Sequence, residues 1–141
     1  MISVAVAAWG ILAALHDVRR RRIANWLTLP AIMIGVGWLV WARVGTAPAD
    51  PAELASMGVL IALALSMPGY ALGKMGGGDV KYLTAIALWT GATGVVLAIL
   101  SAALGAVIWH LASIRARTSP ARVIPFAAVA LPGVLLWCGV S

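Results

Sequence analysis

Charge is scarce in this chain: ten Lys/Arg and four Asp/Glu make up only 10% of 141 residues, while 63% are apolar. An ordinary soluble domain carries about a quarter charged residues, so this composition, with a mean hydropathy of +1.04, excludes one. The single cysteine, Cys138, excludes a disulfide framework or a zinc site and reads as a small apolar helix residue. The two histidines, His16 and His110, are too scattered to form a metal cluster, so no metal or cofactor is expected. No GxSxG and no GxxxxGK[ST] occurs, which removes the usual marks of a serine hydrolase and of a phosphate-binding loop. Internal repeats are absent, and the short connections leave no room for a large aqueous domain.

What the chain has is apolar runs. A bilayer core about 30 Å thick is crossed by roughly 17–25 apolar helical residues. The runs are Met1–Leu15, Trp26–Trp41, Leu54–Leu72 and Ile124–Val140, with a longer stretch, Val80–Ser113, between the last two. As one straight helix that stretch would rise roughly 50 Å, and Thr90-Gly91-Ala92-Thr93-Gly94 has the composition of a turn. It is therefore divided into Val80–Trp89 and Val95–Ser113. Charge supports the division. With six spans, nine of the ten cations (Arg19 to Arg22, Lys74, Lys81, Arg115, Arg117 and Arg122) share one side and only Arg43 lies opposite. Five spans would leave six against four, so the positive-inside rule favours six. The net charge of +6 thus reads as membrane orientation and not as a nucleic-acid surface. The expectation is an all-α polytopic membrane protein, a single domain over 1–141, with both termini outside the cytoplasm. The first run lacks cations before it, unlike a signal peptide.

Only four acids need placing. Asp50 and Glu53 fall in an outer loop with Pro48 and Pro51, where solvation or capping is expected. Asp17 and Asp79 each adjoin an apolar span on the cytoplasmic side, where an ionisable group is costly and points to function. Structural alternatives exist: Asp17 paired with the arginines that follow it, and Asp79 capping the helix it begins. Two carboxylates brought together at low dielectric share a proton. One member can then deprotonate water while the other protonates a carbonyl oxygen or leaving amine, the chemistry of an aspartic protease. Before Asp79 stand Gly76, Gly77 and Gly78, which free the backbone for unusual dihedrals or for close approach of an extended peptide. His16 is placed to tune Asp17. Gly69 and Gly73 have the GxxxG spacing of ordinary helix packing, and the seven tryptophans fall mostly near span ends, as an interfacial belt does.

Gly76-Gly77-Gly78-Asp79-Val80-Lys81 resembles the GxGD motif of intramembrane aspartyl proteases, in the form found in prepilin peptidases, also called type IV leader peptidases. Asp17-Val18-Arg19-Arg20-Arg21-Arg22-Ile23-Ala24-Asn25 is similar to the family's DxRxRxIPN pattern, and Ile124-Pro125-Phe126 resembles a segment that opens its last helix. The resemblance implies that Asp17 and Asp79 are the catalytic pair and that Gly76, Gly77 and Gly78 admit the substrate. Arg19, Arg21, Asn25 and Lys81 match family positions in a supporting role. The residues themselves leave topology and anionic lipid contact open for the arginines, helix capping for Asn25 and an interfacial place for Lys81.

Departures are Ala24 in place of the usual proline and Ala127-Ala128 after Phe126. The chain lacks the cysteine pairs of the family's long form. It looks like the short form found with tight-adherence (Flp) pili, which implies an aspartic endopeptidase of the bacterial inner membrane that removes the basic leader of prepilins at the cytoplasmic face without N-methylation. A non-enzymatic transport or assembly subunit with intramembrane acids is the rival reading. The oligomeric state is not legible.

Overall fold

The computed structural model describes residues 2–20, 23, 25–44, 49–73, 75–115 and 125–140. The described residues form five helical elements: α1 (Ile2–Arg20), α2 (Asn25–Val44), α3 (Ala49–Ala71), α4 (Gly77–Arg115) and α5 (Phe126–Val140). There is no strand among them. Asp50, Pro51 and Glu53 belong to the first turns of α3 and not to a loop, a position where proline costs no helical hydrogen bond. Lys74, Arg117, Arg122 and Ile124 lie outside the described residues.

The six spans expected from sequence correspond to five elements among the described residues. The fourth and fifth runs make one 39-residue element, α4, interrupted at Gly91, whose φ of 65° and ψ of −161° are non-helical. Contacts on the two sides of Gly91 run in opposite senses. Before it, Lys81 bonds Asn25 at the start of α2, and Leu88 packs on Gly35 farther along that helix. After it, Leu97 meets Gly133 of α5, and Gly105 meets Val129, nearer the start of α5. The start of α5 is itself bonded to Asp17 at the end of α1. The chain therefore descends from the Asp17 end to Gly91 and returns after it. The turn expected over Thr90–Gly94 is a reversal without a loop. Glycine suits its pivot because φ near 65° excludes most side chains. At Gly94 a Cβ would run into the Thr90 side chain.

Small residues set the packing. On α3, Ala55, Gly58, Ala62 and Ser66 are buried at helical spacing. A Cβ on Gly58 would sit 2.6 Å from the Gly91 carbonyl carbon. On α5, Ala127, Ala130, Gly133 and Val134 are buried, and Gly133 lies directly on the Leu97 backbone. Close backbone approach of this kind holds helices together where lipid removes the hydrophobic drive between them. Outward-facing side chains are apolar too, including Leu12, Leu60, Leu100 and Leu136. By length and composition, Glu53–Ala71 and Gly77–Ala112 suffice to cross a membrane, while Asn25–Trp41 and Phe126–Val140 are shorter apolar helices.

Two expectations need correction. Gly73 is not on a packing face: it follows the end of α3 with φ 65° and closes its last turn by donating to the Tyr70 carbonyl at 3.0 Å. Not every tryptophan belongs to a belt. Trp26 and Trp41 are exposed, but Trp9 donates its indole N–H to the Leu27 carbonyl at 3.0 Å and Trp89 to the Ala31 carbonyl at 3.1 Å. Both are struts from α1 and α4 to α2. Cys138 behaves as expected, half-buried in α5 with its thiol on the Ser3 carbonyl.

The Gly58–Gly91 contact is backbone on backbone, so it has little room to relax. Gly58→Val is expected to destabilise the fold by about 1–3 kcal/mol, whereas Gly37→Ala, where a Cβ meets nothing within 4 Å, stays near wild type. Thermal unfolding of both variants in detergent checks the difference.

Candidate active site

Asp17 lies in the last turn but one of α1 and is 4% exposed. A buried carboxylate needs donors. Arg19 and Arg20 are both exposed, and Arg21 and Arg22 lie outside the described residues. A donor is the backbone N–H of Ala127, 2.8 Å from Asp17 Oδ2. Ala127 is the second residue of α5, whose opening Val129 N–H to Pro125 carbonyl bond spans 3.3 Å. The first N–H groups of a helix have no partner of their own and carry the positive end of its dipole. A helix N-terminus thus meets the carboxylate of Asp17 from across the bundle.

Asp79 is held by its own helix. Gly76 precedes α4, and its carbonyl accepts from the Asp79 N–H at 3.0 Å and the Val80 N–H at 3.4 Å. In return Asp79 Oδ2 accepts the Gly76 N–H at 3.1 Å. This side-chain bond is the N3 half of a capping box, Gly76 having no side chain to complete it, and it realises the capping role considered for Asp79. That bond leaves the second carboxylate oxygen open.

The two acids come from opposite helices to the same end of the bundle, close enough for the charge of Asp17 to act on Asp79. Tyr82, one turn along α4 from Asp79, is also within electrostatic reach of Asp17. His16 sits beside Asp17 and meets the edge of Trp26 at a ring separation of 5.9 Å and 90°.

The other expected residues divide. Lys81 Nζ donates to Asn25 Oδ1 at 3.0 Å, a clip between the starts of α2 and α4. Asn25 therefore serves helix-to-helix contact. Arg19 is exposed at the same end of α1, and Arg21 falls outside the described residues. None of Gly76, Gly77 and Gly78 has a positive φ, so unusual dihedrals are not their purpose. Close approach is: a Cβ on Gly78 would lie 3.3 Å from Ile23 Cβ and 3.4 Å from its carbonyl, and one on Gly77 would lie 3.5 Å from the Tyr70 ring. The glycines let the start of α4 nest against the α1–α2 turn. The bond from Ala127 was missed at sequence level. Its signal was Pro125, a residue suited to the opening of a helix whose N–H groups are then free.

An all-helical bundle with apolar faces and two acids gathered at one end defines a membrane protein with a polar site at its edge. The chain belongs to the type IV leader peptidase family, whose model matches residues 4–111. It is thus a peptidase of the prepilin leader class. The matched residues include both Asp17 and Asp79 and end before α5. No curated protein and no solved structure matches the chain.

Because Gly78 faces Ile23, a larger residue there acts first on the fold. Gly78→Val is expected to destabilise by about 1–3 kcal/mol, and Ile23→Ala in the same chain should restore little of the loss, because the Cβ and backbone of residue 23 that meet position 78 stay in place. A double-mutant cycle of unfolding temperatures checks this. A large restoration would place the crowding on the outer atoms of the Ile23 side chain.

Proposed function

We propose that the chain is an aspartic endopeptidase that removes the leader of type IV or Flp-like prepilins, with Asp17 and Asp79 as its catalytic pair. One observation supports the reading: two carboxylates from different helices lie at one end of an apolar bundle within electrostatic reach of each other, each accepting a backbone N–H. Such a pair shares one proton. The ionised member takes a proton from water as that water attacks the scissile carbonyl, while the protonated member gives its proton to the carbonyl oxygen; when the C–N bond breaks, the first member passes the proton it took to the leaving amine and the second recovers one from the gem-diol hydroxyl. No acyl-enzyme forms, and the chemistry calls for no metal or cofactor.

Arg19 and Arg20, exposed at the end of α1 that carries Asp17, suit an anionic lipid surface. The division of α4 at Gly91 supports six crossings of the bacterial inner membrane. On that count nine of ten cations and both acids face the cytoplasm, and the termini face the periplasm. A prepilin with its apolar stem in the bilayer and its basic leader in the cytoplasm then brings the scissile bond level with the acids. Gly76, Gly77, Gly78, Asn25 and Lys81 shape the rim that this peptide crosses. The chain has one cysteine and so lacks the cysteine pairs associated with N-methylation; the activity proposed is cleavage alone. The non-enzymatic alternative rests only on acids at membrane level, and membership of a peptidase family counts against it.

Co-expression with an Flp-type prepilin, followed by mass spectrometry of the pilin, tests the assignment. Wild type is expected to cleave at the end of the leader. Asp17→Asn and Asp79→Asn, present at normal levels, should each lose at least about 100-fold in rate. Retained cleavage in either variant would remove that residue from the pair.

A further inference from the structure

Tyr82 is the largest side chain in the bundle with no exposure at all, and its hydroxyl has no hydrogen-bond partner among the described residues. Its ring is fixed. It stacks on Trp9 of α1 with centroids 5.3 Å apart and planes 21° from parallel, and Trp9 is itself tied to the Leu27 carbonyl. The hydroxyl is aimed at α1. At Gly10 of that helix an added Cβ would stand 4.0 Å from the phenol oxygen. Gly10, Ala13, Ala14 and Asp17 form one buried stripe of α1, and a helical side chain leans back toward the helix N-terminus. The carboxylate of Asp17 therefore leans along that stripe toward the phenol. On α4, Tyr82 is three residues from Asp79 and shares its face.

A buried phenol rarely goes without a partner, and a polar gap too long for direct contact is the setting in which a water bridges two groups. We infer that Tyr82 is a positioning residue of the peptidase site, donating through one buried water to the Asp17 carboxylate from the bilayer side, opposite the N–H of Ala127. This rests on the reading of Asp17 as a member of the catalytic pair. The groups that face Asp17 are then His16 on α1, Asp79 and Tyr82 on α4, and the Ala127 N–H of α5. Lys81 on α4 is engaged by Asn25, and the described residues of α5 carry no charged side chain. Tyr82 holds the carboxylate at a fixed angle to the water that attacks the peptide and favours its ionised form.

Tyr82→Phe removes the hydroxyl and keeps the ring on Trp9. The expected result is a fall in kcat of about 10- to 100-fold, the weight of one hydrogen bond to a charged acceptor, with KM unchanged. The acidic limb of kcat/KM against pH should move to higher pH, because the ionised form has lost a donor. Unchanged kcat and an unmoved limb would overturn the inference, as would a lower unfolding temperature accompanied by neither change.

A second measurement does not depend on cleavage. In the Asp79→Asn chain, pH-difference infrared spectroscopy follows the Asp17 carboxyl band. Adding Tyr82→Phe should raise its midpoint, and an unmoved midpoint contradicts the bridge. Should the Phe variant fail to fold, the phenol C–O band of Tyr82, with only Tyr70 beside it in the sequence, must shift between wild type and Asp17→Asn; no shift overturns the inference. Cleavage that survives Asp17→Asn removes the peptidase role of Asp17 and leaves the infrared result to decide the hydrogen bond on its own.

Discussion

A carboxylate buried in an apolar bundle must be met by donors, and the bond from the Ala127 N–H to Asp17 is the interaction on which the rest of the architecture turns. Ala127 belongs to the last helix and Asp17 to the first, 110 residues apart in sequence. To bring them together, α5 has to run antiparallel to α1 along its length, with Gly10 against Leu131 and Val134 and Cys138 on Ser3. The returning arm of α4 has to deliver α5 to that place. The reversal at Gly91 and the close approach of Gly133 to the Leu97 backbone make the delivery possible. A helix start with no partners of its own thereby becomes the donor for an acid that has left water.

Asp79 reaches the same end by a local route. Its bond from the Gly76 N–H fixes the carboxylate relative to the helix it starts, and the Gly78–Ile23 contact fixes that helix against the turn after α1. Structural and chemical roles are therefore not rivals here. A capping bond uses one carboxylate oxygen and leaves the other free, so the same residue can start a helix and take part in proton transfer.

Much of this was legible in the residues. The all-helical class followed from apolar run lengths, and the break in α4 from Thr90-Gly91-Ala92-Thr93-Gly94. Local signals of that kind survive without knowledge of the tertiary fold. What was not legible depends on contacts between distant segments. The donor that reaches Asp17 from the far end of the chain, the Ala127 N–H, leaves no signal in the residues beside Asp17. Gly76–Gly78 offer either unusual dihedrals or close approach; their φ values are ordinary, and at Gly78 the close approach is to Ile23. Trp9 and Trp89 share the composition of an interfacial belt with Trp26 and Trp41. Only the packing separates struts from belt. The two spans expected on either side of Thr90–Gly94 form one element because a single glycine, Gly91, reverses the chain without a loop.

The central claim is that Asp17 and Asp79 form one site in the membrane-embedded protein. Cross-linking tests it most directly: Asp17→Cys with Asp79→Cys in a Cys138→Ser background, treated in native membranes with a short thiol-to-thiol reagent and cut between α2 and α3. The account predicts that the two fragments stay joined in high yield and that each single-cysteine control separates. Separation of the fragments under conditions where both thiols react with a monofunctional reagent would contradict it, because the two positions would then not meet.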